Sequence, residues 1–426
     1  MSKDSPKPKS LAARFLKVLL AVSIIALVVN LLPWSDTISW ESEAGDSFTI
    51  SGTIEGDWKT DRVQFTMDPK AAAEAGDLPA WALTAADSGH LMDLSRDGNL
   101  VDTAPSAEPG ALSVVGVKAE WDPGMFTVFA SADLGYIGLA MVLFFLAMLF
   151  AVTRWWRLLG LVGCKTTWRN TLRLTYLGLF FNLVMPGLTG GDVAKAVIVV
   201  REHPERRGNA LMSVIVDRVI GLMTLALLAL VVVLIVGEPF GFMQMPLIVF
   251  AVAGGGGALA YFNKPIRRAI GFDKLMDKLP LGDKLKALDE AANTYFSHPV
   301  ELGIAMLLSL GNHIVAIVAV WVLGLSFGVL PSEVALFDYF AIVPVANIVS
   351  SIPVMPMGFG VGDIAYLKIF EKIGASGALG TAVSITFRLC QLLLSLLGGL
   401  FLLAPGARVK LDDLEAEVAE TEKVGA

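Results

Sequence analysis

The sequence predicts an all-α polytopic membrane bundle that carries a small extracytoplasmic β-rich insertion. Hydrophobic residues make up 55% of the 426 residues and charged residues only 17%, against about 25% charged in a typical soluble domain. The apolar residues fall in runs of about 20, the length that crosses a hydrocarbon core roughly 30 Å thick. Cys164 and Cys390, the two cysteines, lie in or beside these runs and support no disulfide framework. Nothing in the composition resembles a nucleic-acid binder.

The N-terminus predicts a membrane anchor. Several basic residues precede an apolar run from Phe15 to Leu32. A signal peptide would look similar, but no A-x-A-like cleavage site follows the run and further spans do. We therefore predict an uncleaved anchor within residues 1–33, with its basic end in the cytoplasm.

Residues 34–133 predict a separate β domain outside the cytoplasm. Positions 35–133 hold 18 acidic and 5 basic residues, a local net charge of −13. Apolar residues alternate with polar ones at Phe48–Ile50, Val63–Met67, Leu112–Val114 and Phe126–Val128. This period of two, with Asp-Gly and Pro-Gly breaks between the runs, is typical of short strands.

Residues 134–405 predict the membrane domain, and the charge of its loops gives its orientation. The loops 153–173 and 264–286 are rich in Lys and Arg, which places both in the cytoplasm. With the anchor, the chain then has six spans in a bacterial inner membrane, and both termini, including an acidic tail over 406–426, lie in the cytoplasm. The five spans after the anchor are Leu134–Val152, Asn209–Val236, Pro246–Phe262, Val300–Phe327 and Gly377–Leu403.

Two apolar segments do not fit ordinary spans. Thr171–Val200 begins and ends beside basic residues, so it enters the membrane from the cytoplasm and returns there. By the same reasoning Phe337–Ile373 enters and leaves from the outside. Glycines and prolines break both segments in the middle, which predicts two re-entrant pairs of half-helices. Such irregular backbone is tolerated in a membrane only where protein or a wet cavity satisfies its polar groups.

The two breaks are similar in sequence, which predicts an inverted repeat. The first reads VMPGLTGGD and ends at Asp192, and the second reads VMPMGFGVGD and ends at Asp363. An arginine follows each aspartate on a long span, Arg218 after 26 residues and Arg388 after 25. Broken helices at corresponding places in two inverted halves indicate the central site of a transporter.

The glycines of the breaks are candidate residues for a lipid headgroup cavity. Glycine lets the backbone approach a ligand closely, and the free N–H groups of the following half-helix favour an anion. The candidates are Gly190, Gly191, Gly360 and Gly362. In the alternative interpretation, Asp192 only caps a helix after a glycine turn.

Charged residues inside the spans complete the candidate substrate-binding set, which is Asp192, Lys195, Asp217, Arg218, Asp363 and Arg388. Lys195 follows Asp192 by one helical turn and is spaced to pair with it. Ionisable groups within a membrane are costly, so function is the default interpretation. For Arg218 the alternative is that its side chain reaches the cytoplasmic surface. Polar stripes at helical spacing predict which faces point inward: Asn209, Ser213, Asp217, Gly221 and Thr224, then Thr381, Ser384, Arg388, Gln391 and Ser395.

Asn312 and His313 interrupt the span Val300–Phe327. They predict either a hydrogen bond between helices or coupling to protons. The sequence contains no HExxH or GxSxG motif and no paired His/Cys cluster. We therefore predict no catalytic residue, metal or cofactor, although an intramembrane acid pair leaves a lipid transferase as an alternative.

At these motifs the chain resembles the lysylphosphatidylglycerol synthase transmembrane, or flippase-like, family. The resemblance covers roughly residues 130–405 and is carried by Asn182–Lys195, Ser213–Leu222, Pro353–Asp363 and the helix of Arg388. It implies movement of phospholipids or polyprenyl-linked lipids between leaflets. The chain has Leu188 where the family often has arginine, and Gly362-Asp363 where it often has Arg-Glu, which leaves the headgroup preference open.

The function that these features predict is translocation of a membrane lipid through a cavity between the two halves. The chain ends soon after its last span, so we do not expect the soluble aminoacyl-transferase domain of the bifunctional synthases. One alternative is a membrane-embedded transferase or an accessory subunit in lipid or lipid-linked glycan assembly. Another is a scaffold whose outer β domain binds a partner. Lipid movement in liposomes without a soluble donor separates the first function from the others.

Overall fold

The computed structural model describes most of the chain between residues 33 and 402. Within those limits it leaves out 42–46, 61, 75–77, 90, 96–98, 103–112, 185–189, 239, 263–265, 267–281 and 351–360. The predicted anchor over 15–32, Gly360 and the tail after 402 therefore lie outside the described residues. The chain divides into two compact units, one of which contains residues 1–136, 324–333 and 366–385.

That first unit contains a closed antiparallel β-barrel whose six strands follow one another in chain order. Each strand pairs with the next, and β6 returns to pair with β1, with Ile38 opposite Trp121. Among the described strands there is therefore no free edge along which another strand could add. The strands are β1 Asp36–Glu41, β2 Ser47–Glu55, β3 Arg62–Met67, β4 Leu91–Ser95, β5 Asn99–Asp102 and β6 Ser113–Asp122.

Alternation along the strands fills the barrel core, as the period of two predicts. Val63, Phe65 and Met67 are all at most 2% exposed, while the residues between them face outward. Two short helices, α1 Pro69–Glu74 and α2 Ala80–Ser88, lie between β3 and β4. This part of the chain is β-rich in the structure, and the tryptophan and alanine side chains of α2 join its core.

The predicted strand at Phe126–Val128 is wrong. These residues belong to a helix, α3 Met125–Ala130. The buried carboxylate of Asp36 accepts hydrogen bonds from the Gly124 N–H at 2.6 Å and from the Thr127 hydroxyl at 2.9 Å. This carboxylate holds the first turn of the helix, and three residues of alternation were too short a run to distinguish strand from helix.

Among the residues that the structure describes, ten further helices follow α3. They are α4 Leu134–Leu161, α5 Trp168–Val184, α6 Gly190–Glu202, α7 Arg207–Val236, α8 Gln244–Phe262, α9 Gly282–Phe296, α10 Pro299–Ser326, α11 Leu336–Ser350, α12 Val361–Lys372 and α13 Gly377–Leu402. A short 3₁₀ turn, Pro204–Arg206, leads directly into α7. At the other end of α7, Gly237 has a φ of 70°, a conformation that favours glycine, and its N–H donates to the carbonyl of Val233.

Within the described residues, four helices are long and apolar enough to cross a membrane: Leu134–Leu161, Pro204–Val236, Pro299–Ser326 and Gly377–Phe401. They correspond to four of the predicted spans, which confirms a polytopic helical membrane protein. The predicted span Pro246–Phe262 is a helix, but its apolar part is shorter than these four. The first of the four continues nine residues beyond the predicted end at Val152, which changes the position of Arg154.

The second unit contains residues 137–323, 334–365 and 386–426, and the polar stripe of α7 faces its interior. Ser213, Asp217 and Thr224 are at most 8% exposed, whereas Val219 and Leu234 on other faces are at least half exposed. On α13, Arg388 and Ser395 are buried in the same way, with leucines on the opposite face exposed. Both stripes therefore point where helical periodicity predicted.

Helices α5 and α6 stand on either side of the first predicted break. They approach so closely that a Cβ on Gly191 would collide with the backbone of Gly178 and the side chain of Asn182. The Gly191 N–H donates to the Asn182 side-chain oxygen at 2.6 Å. Glycine at 191 is therefore required for this packing.

Candidate functional site

A cavity of about 430 Å³ lies within the second unit. Its walls come from α4, α5, α6, α7, α10, α11 and α13. Apolar side chains such as Phe144 and Leu225 form part of the lining, but charged and amide side chains converge on the same space. The predicted residues that line it are Asp192, Lys195, Asp217, Arg218, Asn312, His313 and Arg388.

Asp217 is the acid at the centre of a buried charge cluster. One of its carboxylate oxygens accepts a hydrogen bond from Arg154 Nε at 2.7 Å, and the other lies 3.7 Å from Lys195 Nζ. All three side chains are at most 12% exposed. Arg154 also donates to the Ser309 hydroxyl at 2.8 Å. The cluster therefore joins α4, α7 and α10 through charged hydrogen bonds, which are the stronger kind. The ion pair of Lys195 adds α6 to it.

Asp192 and Arg218 form a second ion pair, between α6 and α7, with a distance of 3.2 Å between Arg218 Nε and the carboxylate. The side chain of Arg218 is 53% exposed and that of Asp192 is 30% exposed. We call this accessible pair open. Asp192 lies in the first turn of α6, and the alternative that it caps this helix stays a prediction. Its carboxylate faces Arg218, whereas Lys195 pairs with Asp217 and not, as its spacing predicted, with Asp192.

Asp363 and Arg388 form the third pair, which is closed. Arg388 Nε donates to the Asp363 carboxylate at 2.7 Å. The side chain of Arg388 is 4% exposed and that of Asp363 is 3% exposed, so we call this buried pair closed. The guanidinium group also reaches the Ser350 hydroxyl at 3.4 Å. Gly362 lies directly against this arrangement, since a Cβ at position 362 would collide with both Arg388 and Ser350.

His313 connects α10 to α7 through a hydrogen bond. Its Nε2 lies 2.9 Å from the carbonyl oxygen of Gly221 and therefore carries the proton. The same nitrogen is 3.4 Å from Ser309. The hydrogen bond between helices that the sequence predicted is thus present, and a coupling role for His313 or Asn312 stays a prediction.

The structure brings most of the predicted residues to one place. Gly190 is the first residue of α6, and Gly360 lies outside the described residues. Arg154 was missed, because the basic loop 153–173 was taken to begin before it, and it is 6% exposed within α4. A signal for it existed: Asp217, buried inside an apolar helix, required a cation, and the apolar run of α4 continues past Arg154.

The family model for the lysylphosphatidylglycerol synthase transmembrane region matches residues 124–399. The chain belongs to this family. A UPF0104 membrane protein of Methanocaldococcus jannaschii is 23% identical to it over 280 residues, which are 61% of this chain and 81% of the relative. No solved structure matches the chain.

Membership in the lysylphosphatidylglycerol synthase transmembrane family makes this a multi-pass membrane protein and points to lipid metabolism or transport. The matched region begins at residue 124, two residues after β6 ends. It contains all residues that line the cavity, whereas the barrel lies outside it. The barrel is therefore an addition to the family region, and none of its described residues is among those that line the cavity.

Proposed function

We propose that the protein moves a lipid with an anionic headgroup, a phospholipid or a polyprenyl-linked lipid, between the leaflets of the membrane. The observation that carries this proposal is the surplus of positive charge in the cavity. Among its described lining residues, Arg154, Lys195, Arg218 and Arg388 are cationic, while Asp192 and Asp217 are acidic. Asp363 adds one acid behind Arg388. Four cations against three acids leave one positive charge for a ligand.

A phosphate group fits this surplus better than a neutral headgroup does. Charged side chains within a membrane cost several kcal/mol each unless they are paired, so an unbalanced cluster of them favours a function. The planar fork of arginine matches phosphate oxygens in two parallel hydrogen bonds. Arg218 is the most exposed of the four cations, with 53% of its side chain accessible. We therefore assign first contact with the headgroup to Arg218, while the acyl chains stay in lipid.

The two broken segments support an inverted repeat with two re-entrant hairpins. Asp192 and Asp363 are each the third residue of a short helix, directly after a glycine that is pressed against neighbouring groups. Each pairs with the arginine that follows about 25 residues later on a long helix. One pair is open and the other is closed. In this proposal the two pairs exchange these states as the headgroup passes from one side to the other.

Reconstituted protein tests the proposal. Purified protein in liposomes should move a phosphatidylglycerol labelled on its acyl chain without any soluble donor. Arg388→Leu should abolish this movement, and Arg388→Lys should retain part of it, because lysine keeps the charge but loses the fork. Arg157→Leu is the matched control, since Arg157 pairs with Glu301 at 2.9 Å and does not line the cavity.

The outcomes separate the candidate functions. Movement by Arg388→Leu at the wild-type rate would show that Arg388 only supports packing, and would refute the assignment of the site. A product that appears only when a soluble donor is added would favour the membrane-embedded transferase. Loss of movement after deletion of residues 35–133 would give the barrel, and a partner bound to it, a direct part in the function.

We further propose an inner-membrane location with both termini in the cytoplasm and the barrel outside. The net charge of −13 over residues 35–133, set against the basic loops, supports this orientation. Lys70 is exposed on α1, and Cys164 and Cys390 are buried. Lys70→Cys should therefore react with a membrane-impermeant thiol reagent added to spheroplasts, whose inner membrane is intact and whose outer membrane no longer excludes the reagent. Reaction only from the cytoplasmic side would refute the orientation.

A further inference from the structure

The ammonium group of Lys195 occupies a position built from an aromatic face and a carboxylate. Its Nζ lies 3.9 Å from the centroid of the Trp155 ring and 3.7 Å from Asp217 Oδ2. The ring is fully buried, and its Nε1 donates to the Ser213 hydroxyl at 3.2 Å, which fixes its orientation. Lys195 itself is 8% exposed. A ring face and an acid at these distances are what proteins use to bind alkylammonium groups.

The negative charge of Asp217 is balanced by Arg154 even without Lys195. Arg154 binds the opposite oxygen of the same carboxylate at 2.7 Å, and it is held in turn by Ser309. Lys195 is therefore the third member of a cluster that already contains a balanced pair. Its aliphatic stem lies against Gly178, so the whole side chain is enclosed between α5 and α7. Removal of that side chain would leave an unfilled ammonium site in the wall of the cavity.

We propose that Lys195 is a built-in occupant of an ammonium site and thereby determines the headgroup class. With the lysine in place, the cavity accepts an anionic headgroup that has no amine, such as phosphatidylglycerol. Without it, the position between Trp155 and Asp217 accepts the amine of a second headgroup class, such as phosphatidylethanolamine. The statement about headgroups rests on the proposed function, whereas the ammonium site itself does not.

Binding of a small amine tests the site independently of transport. Lys195→Ala removes three methylenes and the amine, which n-propylammonium replaces atom for atom. Alanine is also the residue most favourable to a helix. We expect n-propylammonium chloride to raise the melting temperature of Lys195→Ala in detergent, saturably and beyond the effect of equal sodium chloride. Wild type and the control Lys165→Ala, which removes an exposed lysine, should not respond. An equal response of all three proteins would overturn the ammonium site.

The lipid selectivity of the variants tests whether Lys195 determines the headgroup class. Acyl-labelled phosphatidylglycerol and phosphatidylethanolamine would be compared in liposomes containing wild type, Lys195→Ala or Lys195→Met. The methionine variant keeps an apolar stem and is used if the alanine variant does not fold. We expect the rate for phosphatidylethanolamine relative to phosphatidylglycerol to rise at least about tenfold in the variants, the size of effect that a desolvated cation–aromatic contact with an acid produces.

The two arms distinguish the failures. If wild type moves both lipids equally, Lys195 does not determine the headgroup class and that part is wrong. If wild type moves neither lipid but n-propylammonium stabilises Lys195→Ala, the proposed function fails and the ammonium site stands. If the amine has no effect on the melting temperature and the lipid ratio is unchanged in a folded variant, the inference is overturned.

Discussion

The closed pair of Asp363 and Arg388 should be far more important for stability than the open pair of Asp192 and Arg218. In the closed pair both side chains are at most 4% exposed, and the atoms are 2.7 Å apart. Removal of one partner from a buried pair leaves an uncompensated charge and typically costs about 3–5 kcal/mol. In the open pair, at 3.2 Å and half exposed to solvent on the arginine side, the interaction is worth about 0.2–1 kcal/mol.

Two double-mutant cycles measure this difference. The first combines Asp363→Asn with Arg388→Gln, and the second combines Asp192→Asn with Arg218→Gln. Asparagine has the size of aspartate, and glutamine is a shorter but polar and uncharged replacement for arginine. The cycle cancels the effects of each single substitution, so the coupling energy reports the interaction between the two side chains. Unfolding of the full chain by SDS in mixed micelles gives the free energies. We expect the coupling in the first cycle to exceed that in the second by about 3 kcal/mol, more than a hundredfold in the unfolding equilibrium.

The double variant of the closed pair provides the sharper comparison. Removal of both charges leaves no unpaired ion, so the double variant should be more stable than either single variant and close to wild type. It should nonetheless move no lipid, because Arg388 no longer offers a cation to the headgroup. Coupling energies below about 1 kcal/mol in both cycles would mean that water reaches Asp363 and Arg388, and the closed state assigned to this pair would be wrong.

Three further predictions follow from individual contacts. Gly362→Ala should reduce lipid movement in liposomes at least tenfold, because the added Cβ would displace the Arg388 guanidinium. Gly303→Ala is the control and should behave as wild type, since a Cβ at position 303 meets open space. His313→Gln should retain movement, because glutamine can still donate to the Gly221 carbonyl, while His313→Leu should melt at a lower temperature; loss of movement in a folded His313→Gln would favour proton coupling. Burial raises the pKa of the Asp122 carboxyl. The folded state therefore favours the protonated carboxyl and loses stability as the pH rises through that pKa. Asp122→Asn should raise the melting temperature at pH 7 and change it little near pH 4.

The sequence predicted the inward faces of the helices well, because helical periodicity determines them locally. On α7 the polar residues recur every three or four positions, and each one at 213, 217 and 224 is buried. The inward faces needed only the geometry of one helix and the cost of exposing a charge to lipid. Asp363 and its distance along the chain from Arg388 came instead from the similarity of the two broken segments.

Sequence reasoning failed where the answer depended on contacts between distant elements. Arg154 pairs with Asp217 across 63 positions, and nothing near Arg154 distinguishes it from the arginine three residues later that pairs with Glu301. The short run Phe126–Val128 became a helix because Asp36, far away in sequence, binds its first turn. Closure of the barrel between β1 and β6 is equally non-local, since each strand alone shows only its alternation.

The adjacent residues Asp217 and Arg218 explain which helices the ion pairs of α7 connect. Neighbours in a helix point about 100° apart, so they do not face each other and each pairs with residues of other helices. Asp217 binds α4 through Arg154 and α6 through Lys195, while Arg218 binds α6 through Asp192. Two of these ion pairs thus join α6 to α7, and one joins α4 to α7 beside the hydrogen bond from Trp155 to Ser213.

Asp363, by contrast, is held by Arg388 with support from Ser350. If the two halves exchange open and closed states, α6 and α7 must move together, because their separation would break two ion pairs at once and expose Asp217 without its lysine. The rearrangement that admits a headgroup should then occur between this joined pair of helices and the α12–α13 pair. The cavity lies where such a movement would act, since side chains of α6, α7 and α13 all line it.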